Sequence, residues 1–494
     1  MAGAVVFIAL AILNCGGYRY GAADQAFYIP AILEHQDPSL FPRDRSLIDP
    51  QSRLTLFDDA AAWVVRVTGI GLPAIFFIAY LAGLALLVGA YAALGALVFR
   101  SPWSVAALGL ALTFRHRISK TGVNTLEGYL HPRMLAFAIG VWAIVCFLRK
   151  QTVGAIALVA IAVLFHPTTA AWFAVFLGVA LVASEPSFRR PALVGAGAGA
   201  LAILWLLFRG SLGESFTFMD DRWIAAFAGK DYVFPSGWPL SAWVTNGAYP
   251  IALLTIYGWR RRLGLLLPRE SALVAGGLAL AALFLLSLPL VGWRIALAVQ
   301  LQIPRVFWIL DLLVTIYVVW LLCEAPFGTR IETRRVVTIA LLAVLALSRG
   351  LYVTFVEHRG RAVLQLDLPH DEWQDVMTWA AQTPADTHLL VDPGHAWRYG
   401  TSARVASARD VYLEEVKDSA MALYSRDIAG RVVQRIQDLG DFTALTAASA
   451  QALAAKYDFD YVITDRRLDL PVAYRNQRFT AYSLRRLKSS SPPL

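Results

Sequence analysis

An all-α polytopic membrane bundle of about eleven transmembrane helices, followed by a small extracytoplasmic α/β domain, is the fold class that the sequence predicts. Three observations carry it. The 494-residue chain is 57% apolar and only 16% charged, with a mean hydropathy of +0.55, more than a soluble domain carries while keeping its surface wet. Its arginine clusters LRKQ, FRRP, WRRRLG and TRRVV punctuate the apolar runs, as a positive-inside bias requires. Beyond residue 356 the long apolar runs give way to short alternating and helical-period segments. The net charge of +9 would suit nucleic acid in a soluble chain, but arginines placed between spans exclude that partner here. Cys15, Cys146 and Cys323 lie in or beside apolar runs without metal-ligand spacing, so neither a disulfide frame nor a zinc finger is expected.

The first run, AVVFIALAIL, is as short as a signal-peptide core. MAGA supplies no basic n-region and LNCGGY no small-x-small cleavage site, so an uncleaved span is expected. It falls short of the roughly 20 residues a helix needs to cross hydrocarbon, which leaves room for a chain that starts upstream of Met1. The other spans are expected near residues 72–98, 103–115, 134–148, 153–166, 168–184, 191–208, 248–259, 271–291, 305–323 and 336–356. With the N-terminus in the cytoplasm, Arg100, Arg149/Lys150, Arg189/Arg190, Arg260/Arg261/Arg262 and Arg334/Arg335 all fall inside. Arg115, Arg117, Lys120 and Arg305 then fall at the outer side, where an anion-binding loop would want cations.

The exported pieces on this map are residues 19–71, 116–133, 209–247 and the chain from 357 onward. The predicted division is a membrane domain over residues 1–356, whose exported loop 19–71 carries interfacial helices, and an extracytoplasmic α/β domain over residues 357–494. In that last domain THLLVDP, YDFDYVITD and QRFTAYSLRR alternate like strands, while HDEWQDVMTWAAQ and AASAQALAAKY have helical period. LDLPHDEW reads as the linker into it and KSSSPPL as a frayed end. Trp397, Arg398 and Tyr399 suit carbohydrate stacking or an ordinary surface equally, and no catalysis is assigned to this domain.

Asp24, in RYGAADQAFYIPAIL, follows the first span directly. A carboxylate there is costly if it faces lipid, which favours a wet cavity at headgroup depth; a cap on the helix QAFYIPAIL is the equal alternative. The pair Asp58/Asp59 reads as a solvated helix face, as does Asp220/Asp221. In NTLEGYLHPRMLAFAI, Pro132 is expected to begin a helix, and a phosphate would rest near His131 and Arg133, with Glu127 beside them. The alternative is that Arg133 only snorkels to headgroups. In VLFHPTTAAWF, His166 at a tight helical hairpin could bind phosphate or shuttle a proton, or serve structurally by capping carbonyls. In AVQLQIPRVFWIL, the polar groups Gln300, Gln302 and Arg305 interrupt an apolar run and need partners, with Arg305 suited to a phosphate. No HExxH spacing and no Gly-rich nucleotide loop occurs; GAGAGA at residues 195–200 reads as close helix packing, so no nucleotide cofactor is expected.

A first span, an acid just outside it, a long exported loop, many further spans and an exported C-terminal domain together resemble the GT-C superfamily of membrane glycosyltransferases, in their bacterial type. The resemblance implies a polyprenyl-phosphate-linked sugar as donor, a glycan, lipid or protein acceptor, and a place in cell-envelope glycan biosynthesis at the bacterial plasma membrane. It implies for Asp24 a part in activating the acceptor or in donor chemistry, and for the late-span Arg305 a part in holding the donor phosphate. A divalent cation is used by some members and not by others, so the cofactor stays open. Many members carry an acidic pair or an acid beside Lys in the first loop; here Asp24 is followed by Gln25, and Asp58/Asp59 is the loop's acidic pair. Two alternatives stand beside a transferase: a transporter or flippase of a lipid-linked saccharide, and an inactive GT-C-like scaffold. The lack of repeat symmetry and the one-sided loops count against the transporter.

Overall fold

In the computed structural model, residues 2–52, 55–208, 216–327 and 330–484 are described; part of the exported piece 209–247 and the terminal KSSSPPL lie outside them. The chain is mostly helical and forms two compact units from interleaved segments. One comprises Met1–Tyr18, Phe76–Asp220 and Gly229–Leu364; the other comprises Arg19–Ile75, Asp221–Ala228 and Gln365–Leu494. The first exported loop, expected as an appendage of the membrane domain, is thus part of the same unit as the C-terminal domain.

Among the described residues, five helices are long and apolar enough to cross a bilayer: Leu72–Val98, Pro167–Ser184, Glu270–Gly292, Ala296–Cys323 and Ile331–Glu357. These mark the chain as membrane-associated. The count of about eleven is not reached on length and composition. Ala2–Asn14, Pro102–Leu112, Pro132–Leu148 and Thr152–Phe165 are apolar but shorter. The run expected at 248–259 belongs to a longer helix, Leu240–Arg262, which carries Asn246 and ends on three arginines.

Within this first unit, helix contacts are close where small residues permit it. A Cβ on Gly276 would lie 2.4 Å from the Phe176 carbonyl oxygen, so Glu270–Gly292 and Pro167–Ser184 meet backbone to backbone there. The expectation of tight packing at GAGAGA is not met: a Cβ on Gly195, Gly197 or Gly199 would meet nothing within 4 Å among the described residues. Phe137 stacks on Trp308 with ring centroids 3.9 Å apart, joining Pro132–Leu148 to the middle of Ala296–Cys323. At the far end of these helices Arg260 is buried against Glu270, 2.8 Å away, and lies over the Trp320 ring. Beside the first exposed helix ends, a short antiparallel hairpin pairs β1 (Arg117–Ile118) with β2 (Val123–Asn124).

The second unit holds a mixed five-stranded sheet. Its strands are β3 (His388–Val391), β4 (Asp410–Val411), β5 (Tyr461–Thr464), β6 (Val472–Arg475) and β7 (Thr480–Ser483), in the order β4-β3-β5-β7-β6. β3 is parallel to β4 and β5, and β7 is antiparallel to β5 and β6. The three strands and two helices expected from period are present, with the helices at Glu372–Ala380 and Ala447–Tyr457. Leu389, Val391, Ile463 and Phe479 pack with Trp373 and Met377 of the first helix as the core. Tyr399 joins them, its ring 4.8 Å from Trp373, whereas Trp397 is 77% exposed.

What ties the first loop into this unit is charge. Asp44, fully buried, accepts from Arg404 Nε at 2.7 Å and from the Val411 N–H at 2.9 Å, and also pairs with Arg431. Arg404 is shared with Glu414 at 3.0 Å and Asp418 at 2.6 Å. In return, the backbone N–H groups of Arg43 and Asp44 donate to the Asp410 carboxylate. Burial alone would raise the Asp44 carboxyl, but Arg404 and Arg431 outweigh it and hold it well below the carboxylate range. Glu414 is likewise buried, yet Arg404 and His395 bring it down to about 2. Asp410, lacking such compensation, is pushed up to about 6 by burial and then by Asp44.

Arg404→Met keeps a side chain of similar length but leaves Asp44, Glu414 and Asp418 buried without their shared cation. It is expected to destabilise this unit by about 3 to 5 kcal/mol, read from the denaturant midpoint.

Candidate functional site

The sequence-predicted residues divide between the two units. Glu127, His131, Arg133, His166, Gln300, Gln302 and Arg305 belong to the membrane unit, and Asp24, Asp58 and Asp59 to the other.

In the membrane unit the site is built on the hairpin β1–β2 and the helix start that follows. The Thr125 N–H donates to the His116 carbonyl, and the His116 N–H to the Thr125 hydroxyl, closing the hairpin's base. This brings Arg115 and Glu127 together, Nη2 to Oε2 at 3.4 Å. Glu127, with 1% of its side chain exposed, takes its main bond from Arg133 Nη2 at 2.6 Å. Arg133 is itself 5% exposed, so it does not snorkel; its fork is held by Glu127 and the Gly122 carbonyl. Gly128 allows this approach, because a Cβ there would lie 2.5 Å from the Gly17 carbonyl oxygen.

Pro132 opens the helix Pro132–Leu148 at its first position, as the spacing predicts. Its cap is His131, whose Nδ1 accepts from the Arg133 N–H at 3.2 Å. His166 repeats the device: it caps Pro167–Ser184, its Nδ1 accepting from the Thr169 N–H at 3.2 Å and lying 2.9 Å from the Thr169 hydroxyl. The structural alternative for His166 therefore holds in altered form, since it caps amides rather than carbonyls. In both residues an accepting Nδ1 assigns the neutral ring's proton to Nε2. The two rings stand 6.1 Å apart, so two helix N-termini with their positive dipole ends meet at this point.

Arg305 lies three residues before Trp308 and Arg133 four before Phe137, so each stands about one turn from a ring of the Phe137–Trp308 stack. The helix Ala296–Cys323 is broken just before this turn, where Gln302 takes a left-handed φ of 48° and Pro304 starts a 3-10 turn Ile303–Val306. Arg305 Nε is buried without a hydrogen-bond partner, and its guanidinium makes no ion pair among the described residues. Two guanidinium groups, of Arg115 and Arg133, thus meet the one carboxylate of Glu127. Tyr80, Glu127, Tyr129, His131 and Met134 line a small pocket.

Sequence reasoning missed a neighbouring group. Asp311, one turn deeper than Trp308 and 6% exposed, is 2.9 Å from His116 Nδ1 and accepts from the Tyr249 hydroxyl at 3.1 Å. The signal was present: a lone acid in FWILDLLVTIYVVW needs a partner in so apolar a setting.

In the second unit, Asp24 precedes the helix Gln25–Gln36 without making a side-chain cap bond, so that alternative fails. Its carboxylate instead lies 3.0 Å from Lys417 Nζ. Gln25, fully buried, accepts from the Gly21 N–H at 2.7 Å. The pair Asp58/Asp59 is not a solvated face as a whole. Asp59 is exposed and 3.1 Å from His35, but Asp58 is 1% exposed with neither oxygen hydrogen-bonded, and burial followed by Asp59 pushes its carboxyl up to about 8. On this helix, Phe57–Thr68, Asp58 shares the buried face with Phe57, Ala61 and Ala62, while Trp63 and Val67 are more than half exposed. Among the described residues, no three His, Cys, Asp or Glu side chains are gathered as metal ligands.

Burial pushes the His116 imidazole down, but the hydrogen bond and charge of Asp311 more than reverse this, so its pKa is raised above 6.5 against the opposing Arg349. A raised folded value means that the stabilisation is complete below pH 6.5 and is lost as pH climbs through it. The unfolding midpoint of the wild type is expected to fall across that alkaline window, and the fall to disappear in Asp311→Asn. Compared with known proteins, the chain matches no family model and no curated relative.

Proposed function

We propose that this protein is a membrane glycosyltransferase that moves a sugar from a polyprenyl-phosphate donor to a glycan, lipid or protein acceptor at the extracytoplasmic face. The observation that carries the reading is the set of donor and cationic groups at helix starts: His131 and His166 capping two helices, Arg133 held by Glu127, and Arg305, which makes no ion pair among the described residues. A lipid-linked phosphate has the matching charge, and its apolar tail suits a protein in which five helices among the described residues are long and apolar enough to cross a bilayer.

In the proposed reaction an acceptor hydroxyl attacks the anomeric carbon, a new C–O bond forms, and the bond from that carbon to the phosphate oxygen breaks. The electron pair leaves with the phosphate, where Arg133, Arg305 and the Nε2–H groups of His131 and His166 stabilise the charge as it grows. For Asp24, which belongs to the other unit, the resemblance to GT-C enzymes implies the part of taking the acceptor proton or orienting the hydroxyl. Glu127 and Asp311 are already engaged by Arg133 and His116, so no step is routed through a cation. In this reading the N-terminus is cytoplasmic and the C-terminal domain extracytoplasmic.

Arg305→Gln is the cleanest test, because it removes a cation without orphaning a carboxylate. With radiolabelled polyprenyl-phosphate sugars in nanodiscs, release of free polyprenyl phosphate is expected to fall about 100-fold while the unfolding midpoint is kept. Undiminished release would remove Arg305 from the donor site. Lipid scrambling without any release in the wild type would favour a flippase.

A further inference from the structure

Asp24 and Lys417 are separated by 393 residues in sequence, yet their charged atoms are 3.0 Å apart within one compact unit. Lys417 lies on the helix Glu415–Ala422, where two acids, Glu414 and Asp418, stand close at hand. Neither takes its ammonium group, because both are bound by Arg404. Lys417 is only 8% exposed, its Nζ is 4.8 Å from the centroid of the Phe27 ring, and Asp24 is its sole ion-pair partner among the described residues. A buried ammonium group held by one carboxylate and one aromatic face is directed, where a surface lysine would sample many geometries. The other charges on the helices packed around Gln25–Gln36 are Arg404, Arg45, Asp49, Asp58, Asp59 and Arg66. Arg404 is engaged by its three acids, Arg45 by Glu34 and Asp59 by His35.

We infer that Lys417 is a positioning residue through which the C-terminal domain keeps Asp24 ionised and fixes the direction of its carboxylate. This inference rests on the proposed role of Asp24 as the acceptor-side acid. A carboxylate that must receive a proton has to be ionised beforehand, and an ammonium group at 3.0 Å favours that form. It also makes the C-terminal domain a contributor to the reaction rather than an attached module.

The test is carbodiimide-driven labelling of Asp24 with a small amine, which reports the protonated carboxyl. Its side chain is one-third exposed and open to the reagent. Labelling is followed against pH in wild type, Lys417→Met and Lys417→Arg, by mass spectrometry of the intact full-length protein. Lys417→Met should raise the labelling midpoint by about one pH unit or more, and Lys417→Arg should restore it. The acid limb of donor turnover should move by the same amount. An unchanged midpoint in Lys417→Met, with its fold retained by thermal unfolding, would overturn the inference. A shifted midpoint with turnover unaffected would support the charge coupling and remove Asp24 from the chemistry, so the two readings fail separately.

Discussion

A carboxylate with 1% of its surface in contact with solvent is stable only when cations meet it, and Glu127 is met by Arg133 and Arg115. That one group fixes several others. It holds the guanidinium of Arg133 at the start of Pro132–Leu148, it closes the loop carrying the β1–β2 hairpin, and it brings Arg115 to the same place. One carboxylate thus meets two guanidinium groups. Arg305, one turn before the Trp308 ring that stacks on Phe137, makes no ion pair among the described residues. The helix caps act in the same sense, since an imidazole that accepts through Nδ1 is left with a donor at Nε2.

The second unit joins a segment near the start of the chain to the C-terminal sheet. Residues 19–75 make internal hydrophobic contacts such as Tyr28 against Phe57, and Asp44 ties them to Arg404 and Arg431. Four charges, Arg404 with Asp44, Glu414 and Asp418, form one buried network, in which loss of any member leaves the rest uncompensated. Asp24 is held by the same C-terminal segment that holds Asp44, so anchoring the loop and setting the charge of its candidate acid are linked tasks.

Local signals were legible and long-range ones were not. Pro132 as a helix start, the strands within THLLVDP and YDFDYVITD, and the amphipathic helix around Trp373 all follow from residue type and period over a few positions. The expected span number is not confirmed, because apolar length in sequence also counts helices that stop short, as Thr152–Phe165 does where His166 and Pro167 begin the next. Asp58 was misread because it shares the buried face of its helix with Phe57, Ala61 and Ala62, while Trp63 and Val67 are outward. The partnerships of Asp44, Asp24 and Asp311 span hundreds of residues, and nothing in the local pattern around Arg404, Lys417 or His116 announces them. A charged residue in an apolar run says that it needs a partner; it does not say which.

The measurement that bears most directly on the proposed site is a structure of the protein in a nanodisc with polyprenyl phosphate bound. The phosphate is expected within hydrogen-bond reach of Arg305 and Arg133, and of Nε2 on His131 or His166. Phosphate density confined to another part of the protein, with the Arg305 guanidinium still unpaired, would contradict the account.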